Sequence, residues 1–104
     1  MFSKLQVIRG DIGMEFHEII KQITSICKAN GVTSLLLFGS YAKGTNTKKS
    51  DIDIVVRGRY DFLKLEEELQ NIPTLKKIDI FEWETCKDNV LLREDIEKYG
   101  KKIY

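Results

Sequence analysis

Proline is almost missing from this sequence. The single one, Pro73, lies between two apolar patterns and reads as a local stop. With no linker, internal repeat or low-complexity tract, the 104 residues are expected to form one domain, 1–104. Cysteine is scarce too: Cys27 and Cys86 stand far apart, with no CxxC. That argues against a disulfide scaffold and against a zinc site; both are expected as small buried apolar residues in a reducing cytoplasm. No apolar run approaches the roughly 18 residues of a membrane helix, so no membrane association is expected. Met1 to Gly13 mixes charge and glycine too freely for a signal peptide.

An excess of either charge is lacking as well. Seventeen Lys and Arg face 16 Asp and Glu, a net charge of +1. A general nucleic-acid binder carries a marked basic excess, so nucleic acid is not an expected partner. A small ligand with a few phosphates remains compatible. The chain is 42% hydrophobic and 32% charged, which excludes disorder and a collagen-like chain. At this length one core can bury roughly 60–70% of the unfolded surface without staples.

Between Gly13 and Asn30, Phe16, Ile19, Ile20, Ile23, Ile26 and Cys27 recur at spacings of three and four, an amphipathic helix closed by Asn30-Gly31. Ser34 to Phe38 is a short unbroken apolar run, a strand covered on both faces. Gly39 to Ser50 is small, polar and basic: a loop with room for one helical turn. Asp51 to Val56 begins by alternating and reads as a strand leaving a polar site. Asp61 to Ile72 is a second helix with Glu66, Glu67 and Glu68 outside. Lys77 to Trp83 alternates as a third strand, and Asn89 to Tyr99 is a last helix with Asp88 as N-cap and Gly100 beyond its end. The order predicts an α+β fold: a small mixed sheet with helices packed on it as a two-layer α/β arrangement. Too little chain joins the first two strands for a long crossover, so they are expected to be antiparallel.

The chemistry is concentrated in Leu37-Phe-Gly39-Ser40-Tyr41-Ala42-Lys43-Gly44 and Ser50-Asp51-Ile52-Asp53. On a strand, Asp51 and Asp53 point the same way with Cα atoms roughly 6–7 Å apart. Two carboxylates that close repel unless a cation sits between them; a hard cation with oxygen ligands, most naturally Mg²⁺, answers that need. A pair of Mg²⁺ ions roughly 3.5–4 Å apart would clamp a phosphoryl centre. Asp79, between Ile78 and Ile80, joins the cluster if the third strand lies beside the second, as a metal ligand or proton acceptor. Gly39 lets backbone approach a ligand, and Ser40 with nearby N–H groups can hold phosphate oxygens. Lys43, Lys48 and Lys49 add positive charge.

Together these residues resemble the DNA polymerase beta-like nucleotidyltransferase superfamily, and within it the minimal nucleotidyltransferases. The resemblance runs from about Gly13 to the end of the chain and rests on the apolar strand, Gly39-Ser40, Asp51-x-Asp53 and Asp79. It implies transfer of a nucleoside monophosphate from an NTP, here AMP from ATP, to a hydroxyl, with two Mg²⁺. It implies metal and catalytic roles for Asp51, Asp53 and Asp79, and nucleotide contact for Gly39 and Ser40, with Lys43 beside them. Many relatives carry Arg at that last position, and lysine cannot make the two-pronged phosphate contact. The resemblance further implies an antitoxin paired with a HEPN-domain toxin, some such antitoxins adding AMP to a tyrosine of the toxin. Larger members carry a helical domain that holds the acceptor. Here that surface is expected from a partner or a second copy, in a hetero- or homo-oligomer.

Rival readings attach to the same residues. The aspartates can be solvated strand ends; a structural Ca²⁺ site lacks the EF-hand spacing. The loop lysines can be a solvated face, His17 an exposed or capping residue, and Phe81, Trp83 and Tyr41 packing. Two other functions compete: a non-catalytic module that neutralises its partner by contact, and nucleotidyl transfer to a small molecule.

Overall fold

In the computed structural model, residues 15–104 are described; the expectations for Gly13 and for the Met1 to Gly13 segment lie outside them. The order is α1 (Phe16–Ala29), β1 (Val32–Phe38), α2 (Gly39–Lys43), β2 (Ile52–Gly58), α3 (Phe62–Gln70), β3 (Ile78–Glu82), α4 (Trp83–Cys86), α5 (Val90–Tyr99) and β4 (Lys101–Lys102). Among the described residues the strands form one mixed sheet, β3-β2-β1-β4. As expected, β1 and β2 are antiparallel; β3 runs parallel to β2, reached through α3.

Both faces of the sheet are covered, and alternation along each strand divides its residues between them. Leu35 and Leu37 of β1, with Ile52, Ile54 and Val56 of β2, meet Ile19, Ile23 and Cys27 of α1 and Leu65 and Leu69 of α3. Burial of each large aliphatic side chain contributes roughly 1.5–3 kcal/mol, so this face carries most of the stability. On the other face Phe38 and Val55 pack with Cys86 of α4 and Ile96 of α5, flanked by Leu36, Phe81, Trp83 and Leu92. The expected helical layer is therefore α1 with α3, and α4 with α5 form a smaller cover opposite. Both cysteines are free and buried, and burial pushes the Cys27 thiol up to about 12. No helix among the described residues is long and apolar enough to cross a membrane.

Several boundaries differ from expectation for local reasons. The last helix is capped by Asn89, whose side chain accepts from the Leu92 amide, and not by Asp88. Asp61 caps α3, accepting from the Leu63 and Lys64 amides. The third strand stops at Glu82, and Trp83 opens the one-turn helix α4. Asp51 lies just before β2, which begins at Ile52. Glu68, expected outside, is half-buried and accepts a 2.8 Å hydrogen bond from Asn30 Nδ2, tying α3 to the end of α1. Beyond the three strands expected, β4 pairs antiparallel with β1 at Leu36 and Leu37. Tyr104 locks that edge by donating its hydroxyl to the Val32 carbonyl at 2.8 Å.

Candidate functional site

The buried end of β1 passes without a spacer into the single turn of α2, and Gly39 makes the corner with φ +70°. Phe38 pairs with Asp53 across the sheet, so the corner lies against that aspartate. A Cβ at residue 39 would sit 2.3 Å from an Asp53 carboxylate oxygen. The glycine is therefore required twice, for its left-handed backbone and for the room it leaves to the carboxylate.

Asp53 and Asp79 are register partners on the parallel strands β2 and β3. Register partners point to the same face, here the one that also carries Val55 and Phe81 beneath α4 and α5. Asp79 is within hydrogen-bonding reach of Asp53, and Asp51, exposed at the entrance to β2, is near enough to repel it. Burial first, then the charge and hydrogen bond of Asp79, then the charge of Asp51, push the Asp53 carboxyl up to about 6; Lys77 acts in the opposite sense. The structure thus brings Asp53 and Asp79 together, with Asp51 at their edge.

Among the described residues, no group of three or more His, Cys, Asp or Glu closes into a ready-made metal cage. A pair of crowded carboxylates still fits a hard cation of the Mg²⁺ type. Such an ion is bound by one or two carboxylates and completes its octahedron with water and substrate phosphate. The Asp53 carboxyl is raised first by burial and only then by its acidic neighbours, and a cation would offset both.

The other sequence-identified residues are distributed around this pair. Ser40 follows Gly39 in α2 and is half-buried, its carbonyl accepting from the Thr45 amide at 3.0 Å. Lys43 directs its ammonium to Asp95 of α5, 3.1 Å away, and over the Tyr99 ring. Lys48 and Lys49 lie in a turn held by Thr47 and Ser50: the Thr47 amide donates to Ser50 Oγ at 2.8 Å and the Lys49 amide to Thr47 Oγ1 at 3.2 Å. That turn fixes where Asp51 begins. Tyr41 stacks on Phe16 with ring centroids 4.4 Å apart, and Phe81 meets Phe38 edge-on, so both pack. His17 is exposed beside Glu15.

Two cations at the site were not singled out by the sequence reading. Lys77 Nζ lies 3.5 Å from an Asp79 carboxylate oxygen. Lys76 Nζ donates to the Lys48 carbonyl at 3.1 Å and lies over the Tyr41 ring, joining the α2–β2 loop to the start of β3. A signal was present, since Lys77 precedes Asp79 by two and must share its side of the strand.

Comparison with known proteins bears on this arrangement. Residues 21–104 match the family model described as Polymerase beta, Nucleotidyltransferase. The chain is 38% identical over 61 residues to a CCA-adding enzyme of Thermoplasma acidophilum, a match covering 58% of this chain but 12% of that enzyme. It is 31% identical over 87 residues to the Methanocaldococcus jannaschii protein named "Putative protein adenylyltransferase MJ0435", covering 75% of this chain and 92% of that protein. Its fold is similar to a chain in a crystal structure of a toxin–antitoxin with AMP-PNP. There the TM-score is 0.66 and the identity 24%, over 81% of this chain and 71% of that one. With the family's fold in place and its model matched over most of the chain, this protein belongs to the polymerase beta nucleotidyltransferase family.

Proposed function

We propose that this chain, acting as one domain, transfers AMP from ATP to a hydroxyl of a partner protein and releases pyrophosphate. The observation that carries the reading is the Asp53–Asp79 register pair, facing one way, with Asp53 against the bare Cα of Gly39. Family membership supports the reaction class, and the adenylyltransferase relative supports a protein acceptor.

Asp53 and Asp79, with Asp51 at their edge, would hold Mg²⁺, in two ions by analogy with the family. Bound there, Mg²⁺ neutralises phosphate charge and favours the ionised acceptor oxygen. Gly39, which turns the chain beside Asp53, and Ser40 after it would cradle the triphosphate. Asp79 would accept the proton of the attacking hydroxyl. The acceptor oxygen then bonds to the α-phosphorus as the bond to the β-phosphate oxygen breaks, and pyrophosphate carries away the electron pair. Lys43 is ion-paired with Asp95, so any phosphate contact it makes would share its ammonium with α5.

The biological role that suits this chemistry is the antitoxin of a HEPN toxin–antitoxin pair in the reducing cytoplasm. Likeness to a toxin–antitoxin chain supports it through the fold. Incubation with labelled ATP, Mg²⁺ and the protein encoded by the neighbouring gene tests the proposal. Label is expected on the partner with wild type and not with Asp53→Asn. A partner left unlabelled but neutralised equally by both proteins would establish the contact-module reading instead.

A further inference from the structure

Lys77 sits one residue before β3, and its carbonyl accepts a 2.8 Å hydrogen bond from the Ile52 amide. Its backbone is thereby fixed beside the Asp51–Asp53 segment. The side chain is 69% exposed, on a flexible four-carbon stem, with Nζ 3.5 Å from Asp79. Neighbouring ammonium groups are engaged elsewhere: Lys43 with Asp95, and Lys76 with the Lys48 carbonyl. Among the described residues, Lys77 is the cation ion-paired to a carboxylate of the acid cluster.

An ammonium and a divalent ion cannot occupy one carboxylate at short range without repulsion. A cation arriving at Asp79 therefore displaces Lys77 Nζ. The backbone stays pinned, so the head group swings within an arc beside the cluster. In the nucleotidyltransferase reading, on which this inference rests, the polyphosphate lies beside the cluster. A strongly hydrated point charge suits its non-bridging oxygens.

We propose that Lys77 is the resident counter-ion of the acid cluster and that, displaced by a divalent ion, it becomes a ligand for the nucleotide's phosphate tail. The single side chain then has opposite effects on two ligands: it opposes the metal and favours the polyphosphate. A purely structural lysine has no such pair of effects.

The test uses the whole chain with Mn²⁺ alone as the first probe, free Mn²⁺ being read by electron paramagnetic resonance. Lys77→Gln is expected to tighten Mn²⁺ binding roughly two- to fivefold, the worth of a partly exposed ion pair. Tripolyphosphate, titrated at saturating Mn²⁺, is expected to bind the same variant about five- to tenfold more weakly. Lys77→Arg keeps the charge and should restore both affinities towards wild type. Lys64→Gln, an equal charge loss on the exposed surface of α3, should move neither. Unchanged or weaker Mn²⁺ binding in Lys77→Gln overturns the proposal, as does unchanged tripolyphosphate binding. A wild-type chain that takes up no Mn²⁺ even with tripolyphosphate present overturns the nucleotidyltransferase reading as well, which separates the two failures.

Discussion

Gly39→Ala is the sharpest perturbation the site offers, because its cost has two separable parts. With φ at +70°, an alanine there carries the left-handed penalty of roughly 1–2 kcal/mol. Its Cβ would also stand 2.3 Å from Asp53 Oδ2 and 3.2 Å from Cγ. Relief requires the carboxylate to rotate away, about 0.5–1.5 kcal/mol for an off-rotamer side chain. The expected loss is about 2–3 kcal/mol of stability. AMP transfer should fall on the order of a hundredfold, since a 1 Å displacement of a reacting group is enough for that. Gly44 supplies the control. Its φ is +78°, yet nothing lies within 4 Å of a Cβ built there, so Gly44→Ala should lose only the conformational part and keep its activity. The assays are urea unfolding and the initial rate of labelled-AMP transfer. A second variant isolates the clash: with Asp53→Ala in the background, Gly39→Ala should cost no more than Gly44→Ala. If Gly39→Ala matches Gly44→Ala in both stability and rate, the claim that this glycine makes room for the carboxylate fails.

Three further outcomes are expected. In metal-free buffer, a carboxyl raised to about 6 from 3.8 favours the native state most below the unfolded value, and that contribution is lost as pH rises through 6. Asp53→Asn should therefore gain on wild type as pH climbs from 4 to 7, by about 1–3 kcal/mol for a shift of about two units at roughly 1.4 kcal/mol each, discounted for partial exposure, while abolishing transfer; thermal unfolding across pH that shows a constant difference contradicts this. Tyr104→Phe removes the bond to the Val32 carbonyl and should lower urea stability by about 1 kcal/mol with little change in rate. Leu69→Ala truncates a fully buried side chain of the larger core face and should cost about 2–5 kcal/mol by the same measurement.

Side-chain periodicity carried much of the fold. Ser34 to Phe38 reads as a strand covered on both faces because successive leucines do enter different clusters, Leu35 and Leu37 on one side, Leu36 and Phe38 on the other. The antiparallel β1–β2 pair followed from the short connection, and the shared face of Asp53 and Asp79 from the period of two. What escaped has backbone or long-range causes. The edge strand β4 is held by main-chain pairing, and its two lysines are exposed, so it leaves no apolar pattern. Helix α4 spans four residues, too few for periodicity to register, and Trp83 looked like a continuation of the strand. The Asn30–Glu68 bond joins residues 38 apart in sequence. Gly39 was legible as a position where backbone must approach something. That its first neighbour is the Asp53 carboxylate depends on the register of two strands, which no local pattern states.

The acid pair is held together by the sheet, and the pairing itself opposes stability. Asp53 and Asp79 are placed side by side by ladder hydrogen bonds between β2 and β3, while burial and mutual repulsion raise the Asp53 carboxyl. Isolated in an ordinary sheet, such a pair would favour replacement of one member by a neutral residue. Its arrangement becomes intelligible if positive charge is brought to it: a weak share from Lys77 when no metal is bound, and a larger one from a divalent ion in the proposed reaction. The apolar packing of α1 and α3 on the opposite face supplies the rigidity that keeps the carboxylates from separating. Weakening that core should therefore loosen the acid pair before the chain unfolds. A destabilised but folded variant such as Leu69→Ala, assayed well below its unfolding temperature, should then show a lower Mn²⁺ affinity than wild type even though residue 69 touches neither aspartate.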